Sequence, residues 1–441
     1  MLQLTGSNSA RAKTTNHTAI LRLIYQNAPV KRSDLRQMLD LTLPTITTSV
    51  NVMIRAGLVR ETDADETGAP GRKAHALAID ERYGFFCGIE MRGAKRTACI
   101  TDFRGRMLRS VTDAHPCADY DKALRSAASL YRKLLKRVGL SASDIKGIGL
   151  VVPGLVDSEQ GILTTYPGYN WLDKALCADF RSLTSYRGPV RAMNNTASRA
   201  IAAQLFLQEE LKDADTFAYL FVADGIACPL VINTPLISKS VVGNGEIGHM
   251  VMREKGALCS CGNRGCLEAY SGDRAILAAC TEARKNGKAP VLASNTKGCD
   301  YLTMEDVLRA QSDGDAFVSE EVQSALTTLG IAIANITNYG STDTMLIEGK
   351  LFDREENRKL LTDTIQKNLY SMYHSKTTFR FLPADPLSGA RGAAAIAILN
   401  AIEHYAGEPF PAVSRSILRG VRTHPCRPRT DVSFPDVQRP F

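Results

Sequence analysis

The chain has 441 residues, 44% hydrophobic and 23% charged, the make-up of a globular protein with room for two or three domains. No run of about 18 apolar residues occurs, so a membrane-spanning helix is not expected, and the opening MLQLTGSNSARAKTT lacks the apolar core of a secretion signal. The net charge of +8 sits at the two ends: residues 1–60 hold eight Lys/Arg against Asp34 and Asp40, residues 405–441 hold six Arg against Glu408, Asp431 and Asp436, and the stretch between is nearly neutral. Basic ends serve solubility or attract a polyanion. The eleven cysteines, mostly scattered, fit a reducing cytoplasm, where disulfides rarely persist.

Residues 16–28 place Ile20, Leu23, Ile24 and Asn27 along one helical face. After Pro29, Ser33 is positioned to cap a short helix with Leu35, Met38 and Leu39 inward. Thr42 then caps a third helix with Pro44 in its first turn, a buried stripe of Ile46, Val50, Met53 and Ile54, and Gly57 at its end. Thr45, Thr47, Thr48, Ser49 and Asn51 fall on its outer side. Three short helices with a tight middle turn predict a helix-turn-helix, and small hydroxyl and amide side chains suit base edges and phosphates in a major groove. LVRETD, the turn-rich DETGAPGRK and AHALAID add a two-stranded wing with Arg72 and Lys73 near its tip. The blander reading is a three-helix bundle and hairpin that expose Thr and Ser as ordinary surface residues. Order, spacing and charge together favour binding to double-stranded DNA through Thr42, Thr45, Thr47, Thr48, Ser49, Asn51, Arg72 and Lys73.

From residue 84 the pattern becomes strand, turn, strand, a long helix over 121–138, and the apolar strand IKGIGLVVPGLVD; similar elements recur around 216–236 and 343–352. Such repetition predicts an α/β protein with two similar lobes. Within the second, CSCGNRGC puts Cys259, Cys261 and Cys266 into eight residues, ten or more after His249. Disulfide pairing would leave one cysteine odd and needs an oxidising compartment. A Cys3His set is a standard structural site for Zn2+, and Gly262 and Gly265 permit the tight backbone that aims three thiolates at one point.

GIGLVVPGLVD, GNGEIGHM, CSCGNRGCLEAY and GARGAA resemble the ROK family, which groups sugar-responsive repressors with sugar kinases; the resemblance spans roughly residues 14–404. It implies a winged helix-turn-helix over 1–80 and a two-lobed actin/hexokinase-like, ribonuclease H-like domain. The lobes are expected at 81–200 and 201–404, with the last helix returning to the first. A basic Pro/Arg-rich tail follows over 405–441, more a flexible solubilising end than a second DNA contact. The resemblance also implies zinc on His249, Cys259, Cys261 and Cys266. It implies a sugar in the cleft, hydrogen-bonded by Glu246, His249 and Glu268, with Asn194 and Asn195 beside it. Glu246 and Glu268 are alternatively surface residues or partners of the zinc ligands.

A ROK kinase needs bare phosphate loops and an Asp that takes the proton from the attacking hydroxyl. Here the first loop, Asp-x-Gly-Gly-Thr in kinases, reads Glu90-Met91-Arg92-Gly93-Ala94. The second, Gly-Thr-Gly-Ile-Gly in kinases, reads Ala223-Asp224-Gly225-Ile226-Ala227 with Pro229 after it. The later Gly-Gly reads Glu348-Gly349-Lys350, and Asn-Asp reads Asn194-Asn195. These departures predict a cleft without catalysis, kept as a sensor or drifting unused. The expectation is therefore a cytoplasmic homodimeric or tetrameric repressor, released from its operator by a sugar or sugar phosphate. Alternatives are release by a protein partner such as a sugar-transport subunit, an activator, or a sugar kinase carrying a DNA head.

Overall fold

The computed structural model describes residues 9–63, 75–93, 95–232, 241–242, 245–340, 342–370 and 377–404. Arg72 and Lys73, Ala94 of the first loop and the tail 405–441 lie outside the described residues.

Helices Ser9–Asn27, Arg32–Leu39 and Leu43–Arg55 form the head, followed by the antiparallel ribbon Val59–Asp63 and His75–Ile79; Val30–Lys31 pairs on the ribbon's other edge. Thr42 caps the third helix, its Oγ1 accepting the Thr45 N–H at 3.4 Å, and Pro44 sits in the first turn where no partner for its nitrogen is needed. Ile20, Ile24, Leu35, Ile46, Val50, Met53 and Leu77 are buried together.

Four expectations are corrected. Ser49 is buried, 4% exposed, because it lies one turn from Ile46 and Met53 on the inner stripe. Met38 is 51% exposed; on so short a helix it falls about 60° to the side of the inward Leu35. Asn27 is exposed at the end of its helix. Ser33 lies inside the second helix, which starts one residue earlier with Lys31 as its cap; the Asp34 carboxylate accepts the Lys31 N–H at 3.2 Å.

The body consists of two sheets of one plan. The first runs Val190–Asn194, Ile145–Val152, Phe85–Met91, Arg96–Thr101, Met107–Asp113; the first three strands are parallel and the last two fold back antiparallel. The second runs Thr378–Leu382, Thr344–Gly349, Thr216–Val222, Leu230–Ile232, Val241–Val242 with the same directions, and Ile226–Ala227 also pairs with Thr216–Val222. Strands Phe85–Met91 and Ile145–Val152 are buried at every residue because helices cover both faces, in keeping with runs that are apolar apart from Glu90 and Lys146.

Helix Ser388–Glu403 returns from the end of the second lobe onto the first sheet. A Cβ on Gly88 or Gly149 would stand 2.0 Å from the Ala390 carbonyl oxygen or 1.8 Å from that of Ala393, so only glycine allows the helix this close. Ile396, Ile398 and Ile402 of this helix share one core with Phe86, Phe103 and the head's Ile20, Ile24 and Tyr25. At the joint the Tyr25 hydroxyl donates to the Phe103 carbonyl at 2.9 Å, Arg104 donates to the Tyr25 carbonyl at 2.7 Å and covers its ring, and Arg22 pairs with Glu403. Helix Asn195–Phe206 runs across residue 200, where the sequence had suggested dividing the lobes.

Candidate functional site

Parallel strands of both sheets end at one cleft: Phe85–Met91 delivers Arg92, Ile145–Val152 delivers Pro153 and Gly154, Val190–Asn194 delivers Asn195, and Thr216–Val222 delivers Asp224. Convergence of strand ends at the crevice between lobes is where α/β sheets bind ligands. Glu246, His249 and Glu268 join from the second lobe, so the cleft gathers all the residues that the resemblance assigned to a sugar.

Their situations differ. Asn194 is consumed by the backbone. Its Oδ1 accepts the Thr196 and Ala197 N–H groups at 2.8 and 3.1 Å, capping helix Asn195–Phe206, and its Nδ2 donates to the Gly154 carbonyl at 2.8 Å. Sequence reasoning missed this cap although Asn before a helical run announces one. Asn195, 7% exposed, begins the helix beside the cavity, at the position to which the resemblance assigns a kinase's aspartate. Glu268 is held by Ser260, whose hydroxyl donates to Oε1 at 3.0 Å; its Oε2 lies close over Gly225 and Gly248, where added Cβ atoms would come within 3.1 and 3.3 Å. The cleft walls strip water from Glu246 and push its carboxyl up; His249 opposes this and Glu268 adds repulsion.

The four residues of the cysteine cluster come together: one ligand atom from each of His249, Cys259, Cys261 and Cys266 lies within 4.8 Å of the others. Cys261 and Cys266 sulfurs stand 3.8 Å apart, and Cys259 Sγ stands 3.7 Å from His249 Nδ1. A tetrahedron with metal–sulfur bonds of about 2.3 Å has edges of roughly 3.7 Å, so the set fits a metal ion. Burial, and then the two neighbouring thiols, push Cys266 up to about 12, so its thiolate form gains from a neighbouring cation. Among the described residues the cysteines are free thiols. With Nδ1 turned to the cluster, Nε2 is the remaining polar atom of a histidine that lines the cleft.

Below the cleft lies a buried charge network that sequence reasoning did not find. Arg199 donates to Glu90 at 2.9 Å, to the Asn195 carbonyl at 2.9 Å and to Ser388 Oγ at 3.0 Å, and stands 3.7 Å from Glu348, which accepts from the Tyr219 hydroxyl at 2.6 Å. Burial raises the Glu90 carboxyl, yet Arg199 and then Arg92 hold it below its ordinary range. Glu90 and Glu348, read as ruined phosphate-loop positions, are thus ion-pair partners joining the lobes. An Arg inside the alanine-rich run of helix Asn195–Phe206 was the available signal. Asp273, Arg274, Tyr166, Tyr169 and Ser260 were also missed.

On the head, Thr42, Thr48 and Asn51 are exposed, Thr45 and Thr47 half-buried, and the Thr42 and Thr45 hydroxyls lie 2.8 Å apart. Ser49 is removed from this face.

A three-helix head with an exposed polar third helix and a ribbon, set on a duplicated actin-like body whose cleft survives, defines a DNA-binding regulator built on a kinase fold. Residues 86–399 match the ROK family and residues 14–60 match a winged helix-turn-helix DNA-binding domain. The chain belongs to the ROK family. It is similar to the xylose repressor of Bacillus subtilis, 24% identical over 84% of this chain and 91% of the relative. It is also similar to the DNA-binding transcriptional dual regulator NagC of Escherichia coli, 24% identical over 78% of this chain and 82% of that one. A crystal structure of a ROK family transcriptional regulator, homolog of the E. coli MLC protein, superposes with a TM-score of 0.73 at 25% identity, covering 90% of this chain and 97% of that one. A ROK family glucokinase from Streptomyces griseus shares the fold of the body, with a TM-score of 0.59 at 21% identity over 71% of this chain and 99% of the enzyme.

Proposed function

We propose that this protein is a sugar-responsive transcription repressor whose kinase-like cleft binds its effector without chemistry. The supporting observation is the composition of the cleft. It keeps Glu246, Glu268 and His249 to read hydroxyls, while the proton-accepting position is an amide, Asn195, too weak a base at neutral pH. His249, Cys259, Cys261 and Cys266 would hold Zn2+, which would tie the Glu246–His249 turn to the start of helix Glu268–Ser271 and so fix the two carboxylates relative to each other.

Helix Leu43–Arg55 reads an operator half-site through Thr42, Thr45, Thr47, Thr48 and Asn51, and a homodimer presents two such helices to a palindrome. The effector closes the lobes. Because the head shares its core with the first lobe, closure alters the separation of the two heads. The effector favours one separation by binding it better than the other. A DNA partner is in keeping with a cytoplasmic protein.

Fluorescence anisotropy of the full chain on promoter fragments, with and without a panel of sugars, tests this reading. One fragment is expected to bind and one sugar to weaken that binding; no retained fragment at low salt overturns it. A coupled ATP-turnover assay is expected to stay at background for the native chain and for Asn195→Asp, since the base alone does not restore the phosphate loops.

A further inference from the structure

We propose that Asp224 is a built-in occupant of the cleft's anion position, and that its ion pair with Arg92 makes the cleft selective for uncharged sugars over sugar phosphates. The inference rests on the effector reading above and names the class of sugar. Arg92 leaves the first lobe and Asp224 the second, and they meet across the cleft at 2.5 Å, Arg92 16% and Asp224 46% exposed. A carboxylate at contact distance satisfies the guanidinium as a phosphate would.

Three surrounding features act in the same direction. The Tyr169 ring covers Gly93, so that a Cβ there would stand 1.8 Å from it; the backbone that a phosphate loop must leave bare is roofed over. Lys350, at the third former nucleotide position, is turned to Asp353 at 2.8 Å and Glu305 at 3.1 Å. Asp224, Glu246 and Glu268 face Arg92 and Arg274 in the cleft lining, and Asp273 stands behind Asp224 with a buried Oδ1 that has no hydrogen-bond partner among the described residues. A phosphate dianion entering here meets carboxylates and must break the pair that joins the lobes. A neutral sugar meets hydroxyl-reading groups and leaves the pair intact.

The test is calorimetry and thermal shift on the full chain with inorganic phosphate, with a panel of free sugars and with their phosphate esters. The native chain is expected to ignore millimolar inorganic phosphate and to bind a free sugar at least about tenfold more tightly than its ester. Asp224→Ser and the isosteric Asp224→Asn are each expected to gain phosphate binding of at least about tenfold, and Asp224→Ser combined with Arg92→Gln to lose that gain. A native chain that binds an ester as tightly as the free sugar overturns the proposal, as does a pair of folded Asp224 variants that gain no phosphate binding. If no sugar of either kind binds, the effector reading fails, while the inorganic-phosphate comparison still decides the role of Asp224.

Discussion

Single atoms decide most of what this cleft can do. The proposed metal site rests on four of them. Cys266→Ser removes one candidate ligand and is expected to lower the zinc content that metal analysis finds in the native chain, and to destabilise the body by on the order of 4 kcal/mol in thermal unfolding. Asp273 makes a pH prediction. Burial, and then the neighbouring Asp224, push its carboxyl from 3.8 up to about 7. A raised folded value means that its contribution to stability is full below the unfolded value and is lost as pH rises through the folded one. The stability that Asp273 contributes is therefore expected to fall from about pH 4 to about pH 7, read as a melting-temperature difference between Asp273→Asn and the native chain that moves in favour of the variant over that range. The cysteine cluster was legible in the sequence because its ligands are near neighbours on a glycine-loosened loop. The Arg92–Asp224 pair was not, because its members are 132 residues apart and nothing local marks them as partners.

Among the elements, helix Leu43–Arg55 was read almost whole, since cap, proline, stripe and terminating glycine all lie within its own sequence. The error at Ser49 came from treating polarity as exposure; a small hydroxyl one turn from Ile46 fits the inner stripe without strain. Two substitutions separate the faces. Asn51→Ala is expected to weaken operator binding by roughly 1–3 kcal/mol in anisotropy titrations while leaving the melting temperature nearly unchanged. Ser49→Ala is expected to leave operator affinity within about threefold, since its side chain cannot reach a base. Helix Ser388–Glu403 shows the opposite limit of legibility. Its alanine- and glycine-rich sequence has no polar face and so announces burial all round, but only the glycines of strands 85–91 and 145–152 reveal what it lies against.

For the whole molecule, the duplicated sheet plan and the basic head were both visible as repetition and charge imbalance along the chain. Their rigid connection was not, because Tyr25, Phe103 and Ile402 meet only in three dimensions. That joint yields a test of signal passage. Arg104→Ala removes the cation over the Tyr25 ring and the donor to its carbonyl without touching the groove-facing side chains. Operator affinity without effector is expected to stay within about threefold, and the change in affinity on adding the effector to shrink, both read by anisotropy. The same joint also bears on how the protein is made. The head leaves the ribosome before the body, and the helix that completes its seat follows roughly tens of seconds later at ordinary elongation rates. Throughout that interval Phe86 and Phe103 of the first lobe cover only part of the head's apolar underside, and a chain stopped short of residue 388 never acquires the part supplied by Ile396, Ile398 and Ile402. Truncated products then keep apolar surface exposed at the joint and are expected to engage chaperones and proteases more readily than molecules that carry the complete sensing body.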